Sequence, residues 1–181
     1  MSYFSFAHAF ASRRLSAGLL IMALCACSPT WNWREVSSTD APYTVLLPAK
    51  PTSYTRPLDL NGLQVDMSMT AAEVSEVNFA VASAKITDAG QRQAALTNMQ
   101  AAMLRNIGSE QHSEKLVMLK GGASATEIVA QGQAGRNKTP VMLYARFAIH
   151  GEYVIQAIAL GPKAQLAPDI AETFLTSFTL H

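Results

Sequence analysis

At 181 residues, with 49% hydrophobic and 15% charged side chains, the chain suits one domain plus a targeting segment and not two full-sized domains. That composition excludes a disordered acidic or basic tail, and a count of two cysteines excludes a disulfide-stapled miniprotein. A formal net charge of +1 gives no electrostatic case for nucleic acid, which is not expected as a partner.

Residues 1–14 contain Arg13 and Arg14 and no acidic side chain, and an apolar block follows from Leu15 to Leu24. As a helix, that block would span about 15 Å. A bilayer core is roughly 30 Å thick, so the block reads as the core of a signal peptide and not as a membrane span. Arg13-Arg14 is not followed by the residues of a twin-arginine signal, which favours general secretion.

The block ends in Leu24-Cys25-Ala26-Cys27. This resembles the lipobox of bacterial lipoproteins, with a large aliphatic residue three positions before the modified cysteine and a small one immediately before it. The resemblance implies cleavage between Ala26 and Cys27 and lipidation of Cys27, leaving the chain attached to a lipid bilayer. Cys25 fits less well, because Leu24 would then occupy the small position. A mature bacterial lipoprotein usually carries three acyl chains, and at about 0.8 kcal/mol per buried methylene two or more hold durably. The resemblance also implies, from Ser28 after the cysteine in place of an aspartate, export to the outer membrane, facing the periplasm, over retention at the inner one. The competing readings are an ordinary cleaved secretory signal and an N-terminal helix with two incidental cysteines. Without residues 1–26 the chain keeps 12 basic against 13 acidic side chains and shows no polybasic lipid-binding signal.

Residues 27–42 read as the lipidated cysteine and a tether, and 43–181 as a single globular domain. Trp31 and Trp33 either sit at the bilayer interface or dock on the domain, and docking is favoured. Tyr43 to Leu47 reads as a strand stopped by Pro48 and Pro51. Ser53 to Leu60 reads as another, and Asn61-Gly62 is a hairpin signal. Leu63, Val65, Met67 and Met69 alternate with polar residues as in a half-buried strand. Val77 to Ile86 continues the meander, with alanines that permit close approach.

Asp88 is positioned to cap a helix, with Gln91 three residues on. Ala95, Leu96, Met99, Ala102, Met103 and Ile107 then form one apolar stripe, which Gly108 ends. Strand patterns resume at Lys115–Lys120 and Thr126–Ala130, with Gly121-Gly122 and Gly132 to Gly135 read as turn glycines. Val141 to Ile149 forms a long strand that Gly151 turns into Tyr153–Leu160. Pro168, Asp169 and Glu172 suit the start of a last helix, with Phe178 and Leu180 in an exit strand.

This order predicts an α+β domain: an antiparallel curved sheet of seven or eight strands with two helices packed on one side. Tyr43–Lys50, the Ala94–Ile107 helix, Arg146–Ile149 and the ending Phe174–Leu180 resemble the PsbP-like fold, named for photosystem accessory proteins. The fold hosts unrelated roles, so the resemblance carries no functional residue.

The chain has no G-x-S-x-G, no H-E-x-x-H and no phosphate-cradling glycine loop. In a strand, residues two apart share a face, so His112 and Glu114, and His150 and Glu152, are weak metal-ligand candidates. Solvated turn residues are the favoured reading of both pairs, and no metal or cofactor is expected. Arg146 either binds an anion or pairs with a neighbouring strand carboxylate, the second being favoured. Met67, Met69, Met99, Met103, Met118 and Met142 either fill the core, the favoured reading, or line a pliant ligand cavity. The expected function is that of a non-enzymatic, membrane-anchored envelope lipoprotein that binds another envelope protein or assists an assembly. The alternative is a carrier of an apolar small molecule, which calls for a closed cavity of several hundred Å3.

Overall fold

A computed structural model describes residues 30–181, so Cys25, Ala26, Cys27 and the rest of the signal segment lie outside the described residues. The chain begins with β1 (Arg34–Ser37), β2 (Tyr43–Leu47), β3 (Thr52–Asp59), β4 (Gln64–Val74) and β5 (Val77–Lys85). Helix α1 (Ala89–Asn106) follows, then β6 (His112–Met118), β7 (Ser124–Ala134), β8 (Thr139–His150) and β9 (Tyr153–Pro162). Helix α2 (Pro168–Ser177) and β10 (Thr179–Leu180) end it. Seven strands form an antiparallel sheet in the order β3-β4-β5-β9-β8-β7-β6, and β1, β2 and β10 form a small second sheet. The class is α+β.

Local chemistry accounts for the element boundaries. Asn61 and Gly62 both take left-handed angles, φ 59° and 92°, as a two-residue hairpin turn between β3 and β4 requires. The Asp88 carboxylate accepts from the Gly90 and Gln91 N–H groups and so satisfies two donors at the start of α1. Pro168 opens α2, where a missing N–H costs nothing, and Asp169 sits at the helix's positive end.

The two helices lie on opposite faces of the large sheet, which corrects the expectation that both pack on one side. In β9, Ile155, Ala157 and Ala159 belong to one apolar core and Val154 and Ile158 to the other. Successive strand side chains point to opposite faces, so β9 is buried on both. Helix α1 covers one face with Ala95, Leu96 and Met99. Helix α2 and the small sheet cover the other through Phe174, Leu175, Val45 and Leu47. The near-continuous apolar run Val154–Leu160 is the mark of a central strand buried twice over.

Strand β1 lies inside the stretch read as a tether and pairs antiparallel with β2, Val36 opposite Val45. Trp31 and Trp33 dock on the domain: their rings stand edge-on to Phe79 at 5.7 and 5.9 Å, and Phe79 meets Phe174 at 5.4 Å. The folded body therefore reaches back to Trp31.

Gly121 and Gly122 are turn residues with positive φ, as expected, but Gly132 lies within β7. A Cβ there would fall on the Ile107 carbonyl at the end of α1, whose oxygen accepts from Gln133 N–H at 2.7 Å. Gly132→Ala is expected to push this helix end off the sheet and cost about 1–3 kcal/mol, read from the urea midpoint.

Candidate functional site

The histidine–carboxylate pairs do not meet. His112 opens the edge strand β6, with its Nε2 3.9 Å from Glu114 Oε2. Strand register places His112 opposite Ala130, and Ala130 opposite Leu143. His150, at the far end of β8, is seven residues beyond Leu143, or about 23 Å along the strand. Glu152 is engaged by Lys85 Nζ at 3.1 Å. Among the described residues no three His, Cys, Asp or Glu side chains are grouped to hold a metal ion.

Arg146 pairs with a neighbouring carboxylate, as the favoured reading had it. Its Nε and Nη2 donate to Glu127 Oε2 at 2.9 and 2.8 Å, and its Nη1 donates to the Leu175 carbonyl at 2.6 Å. Lys115 Nζ reaches Glu127 Oε1 at 2.9 Å. Burial pushes the Glu127 carboxyl up, but the hydrogen bonds and charges of Lys115 and Arg146 outweigh it and hold the group below its ordinary range. With its fork filled, Arg146 fastens α2 to the sheet.

The methionines divide in two. Met67, Met69, Met99 and Met103 line a cleft of about 230 Å3 between α1 and the β3–β4 hairpin. Met118 projects from β6 at 65% exposure, and Met142 packs against the core on the other face. The cleft follows from where the helix lies. Helix α1 makes its main contacts with β7, β8 and β9, and on the same face of β4 and β5 Val65, Met67, Ala82 and Ala84 are buried at its flank. On β5 only Ala82 and Ala84 stand on that face in register with Met69 and Met67, so little side-chain volume fills the space.

Gln156, from β9, lines the same cleft. It is 8% exposed, and its Oε1 has no hydrogen-bond partner. Its register neighbours are Ala82 on β5 and Phe147 on β8, neither of which offers a donor side chain. Sequence reasoning missed this residue. The signal was one amide inside the apolar run Val154–Leu160.

A carrier enclosing its cargo needs a closed volume of several hundred Å3, and the methionine cleft is smaller than that and open on one side. A larger open depression of about 830 Å3 lies where the β4–β5 and β7–β8 turns meet the end of β9. Its polar lining side chains, among them Glu76, Asn78, Lys163 and Gln165, are all exposed.

The two edges of the large sheet differ. Edge strand β3 carries Pro57, a residue that blocks pairing. Edge strand β6 has no proline, and its Leu116 and Met118 are 74% and 65% exposed. Register places both opposite Thr126 and Ser124, on one side of the strand.

No family model matches the chain, and no curated protein matches it. Among solved structures it is similar to the solution structure of cyanobacterial PsbP (CyanoP) from Synechocystis, at 14% identity and a TM-score of 0.52, over 86% of this chain and 96% of that one. Weaker likenesses are to a Bacteroides thetaiotaomicron protein and to PA94, a Pseudomonas aeruginosa protein of unknown function. The first has 12% identity and a TM-score of 0.46 over 82% of this chain and 48% of that one. The second has 14% identity and a TM-score of 0.35 over 74% and 85%. The CyanoP likeness shows a PsbP-like fold.

Proposed function

We propose that this chain is a bacterial envelope lipoprotein, anchored through acylated Cys27 in the outer membrane and facing the periplasm. It acts there by binding another envelope protein and not by catalysis. The Leu24-Cys25-Ala26-Cys27 lipobox behind its charged and apolar signal segment carries this reading. Because Trp31 is already docked on the domain, only three residues separate Cys27 from the folded body, and the four steps from Cys27 to Trp31 span at most about 14 Å. An anchored domain would therefore lie against the bilayer surface and not swing free of it.

The partner would be an extended segment of a neighbouring envelope protein, added as a strand to β6. An unblocked edge offers a row of backbone donors and acceptors, and Leu116 and Met118 offer apolar contact beside it.

The test is made in intact cells. Labelled palmitate is expected to enter the wild-type chain and Cys25→Ser, and to be lost from Cys27→Ser. A photoreactive residue in place of Leu116 is expected to give a discrete adduct that the same residue in place of Tyr54, on the other edge, does not. Label retained by Cys27→Ser would refute the anchor, and equal adducts at both edges would refute the docking strand.

A further inference from the structure

The short tether restricts which part of the domain can meet the bilayer. Trp31 packs against Phe79, the third residue of β5, so the chain from Cys27 arrives at the end of the large sheet where β5 starts. Antiparallel pairing brings the β4–β5 turn, the β7–β8 turn and the end of β9 to that same end. The open depression of about 830 Å3 lies there, lined by the apolar Val141, Leu160 and Pro162 and by the exposed Glu76 and Lys163. Phe79 and Glu76 are three residues apart, about 10 Å of strand, against about 14 Å of tether.

Charge separates the two ends of the sheet. In the loops that enter or leave it, this end holds Lys50, Arg136, Lys138 and Lys163 against Glu76 and Glu110. The loops at the other end hold Lys120 against Asp88 and Glu152. Among the described residues none of Arg136, Lys138 and Lys163 is in an ion pair, and Lys163 Nζ donates to the neutral Gln131 amide at 3.1 Å. No basic run marks this patch in the sequence, because only strand pairing brings Lys163 beside the β7–β8 turn.

Given the anchor at Cys27, on which this rests, we propose that this end of the sheet is the surface that seats on the bilayer. The partner is anionic phospholipid. Arg136, Lys138 and Lys163 meet headgroup phosphates, and the apolar lining of the depression receives the glycerol and first methylenes of a lipid beneath it. Each cation close to an anionic surface favours this seating about fivefold.

The test uses the full-length protein purified from membranes and placed in vesicles of phosphatidylethanolamine with about one-quarter phosphatidylglycerol, plus a trace of nitroxide-headgroup lipid as quencher. A fluorophore is carried by Ala164→Cys, in the depression, or by Thr87→Cys, at the opposite end; both positions are exposed. The label at 164 is expected to be quenched severalfold more strongly than the label at 87. Its excess is expected to fall when Arg136→Gln and Lys138→Gln are combined, and in about 1 M salt, where the Debye length is about 3 Å. Protein that floats with the vesicles but is quenched equally at both positions, or more strongly at 87, would overturn the proposal and leave the anchor standing. An excess that survives both charge removal and high salt would overturn the phosphate contacts. Protein that does not float with the vesicles would overturn the anchor and this surface together.

Discussion

Phe79→Ala is expected to destabilise the domain by about 3–5 kcal/mol, lowering the thermal midpoint by roughly 10 °C or more. Phe79 is fully buried, and three aromatic rings stand edge-on to it: Trp31, Trp33 and Phe174. Each such pair contributes about 0.5–1.5 kcal/mol beyond the area it buries. Two of the partners come from the N-terminal segment and one from α2, so the substitution loosens both elements that cover this face of the sheet. Trp31→Ala removes a half-exposed ring from the rim of the same cluster and is expected to cost less. Urea unfolding followed by tryptophan fluorescence measures both, because Trp31 and Trp33 report the cluster directly. A cost for Phe79→Ala no larger than that for Trp31→Ala would show that the cluster does not centre on Phe79.

Features encoded locally were legible in the sequence, and those that depend on a distant partner were not. Asn61-Gly62 announces its turn because both residues tolerate positive φ. The β4–β5 turn does not announce itself: Ser75 and Glu76 take φ 51° and 64° without either of the usual residues. Strand β1 is only Arg34-Glu35-Val36-Ser37, half of it charged, and it exists because β2 offers it an edge. The one-sided arrangement of helices failed for a similar reason. Strand β8 alternates cleanly, and Met142, Tyr144 and Arg146 look like a solvent face until the small sheet and α2 cover them. In the candidate site, composition singled out the methionines as a group. Only the placement of α1 separates the four in the cleft from Met118 and Met142, and only the fold shows that Gln156 lacks a partner. The histidine pairs looked close in pattern because strand register, which sets them about 23 Å apart along β8, is not written in either triplet.

Arg146→Ala is expected to cost about 3–5 kcal/mol, because it strands a largely buried carboxylate and frees a helix end together. Arg146 and Glu127 side chains are only 13% and 11% exposed, on adjacent strands in direct register. Nη1 of Arg146 also serves the Leu175 carbonyl in the last turn of α2, which has no basic residue of its own. Arg146→Lys is not expected to rescue the loss, since an ammonium cannot hold both Glu127 and Leu175 from that position with the guanidinium's fork. Replacing both members of the pair with apolar residues is expected to recover part of the stability, because no buried charge is then left unpaired and Lys115 stays in solvent. Acid sensitivity gives an independent reading. The Glu127 carboxyl is held below its ordinary range in the folded state, so the unfolded chain binds its proton first as pH falls. Its contribution is therefore complete at neutral pH and fades as pH drops below about 4.5 toward the lower folded value. Urea midpoints of wild type and Glu127→Gln should differ most near pH 7 and converge below pH 4.5. A gap that stays constant across that range would place the pair's contribution in packing and not in charge.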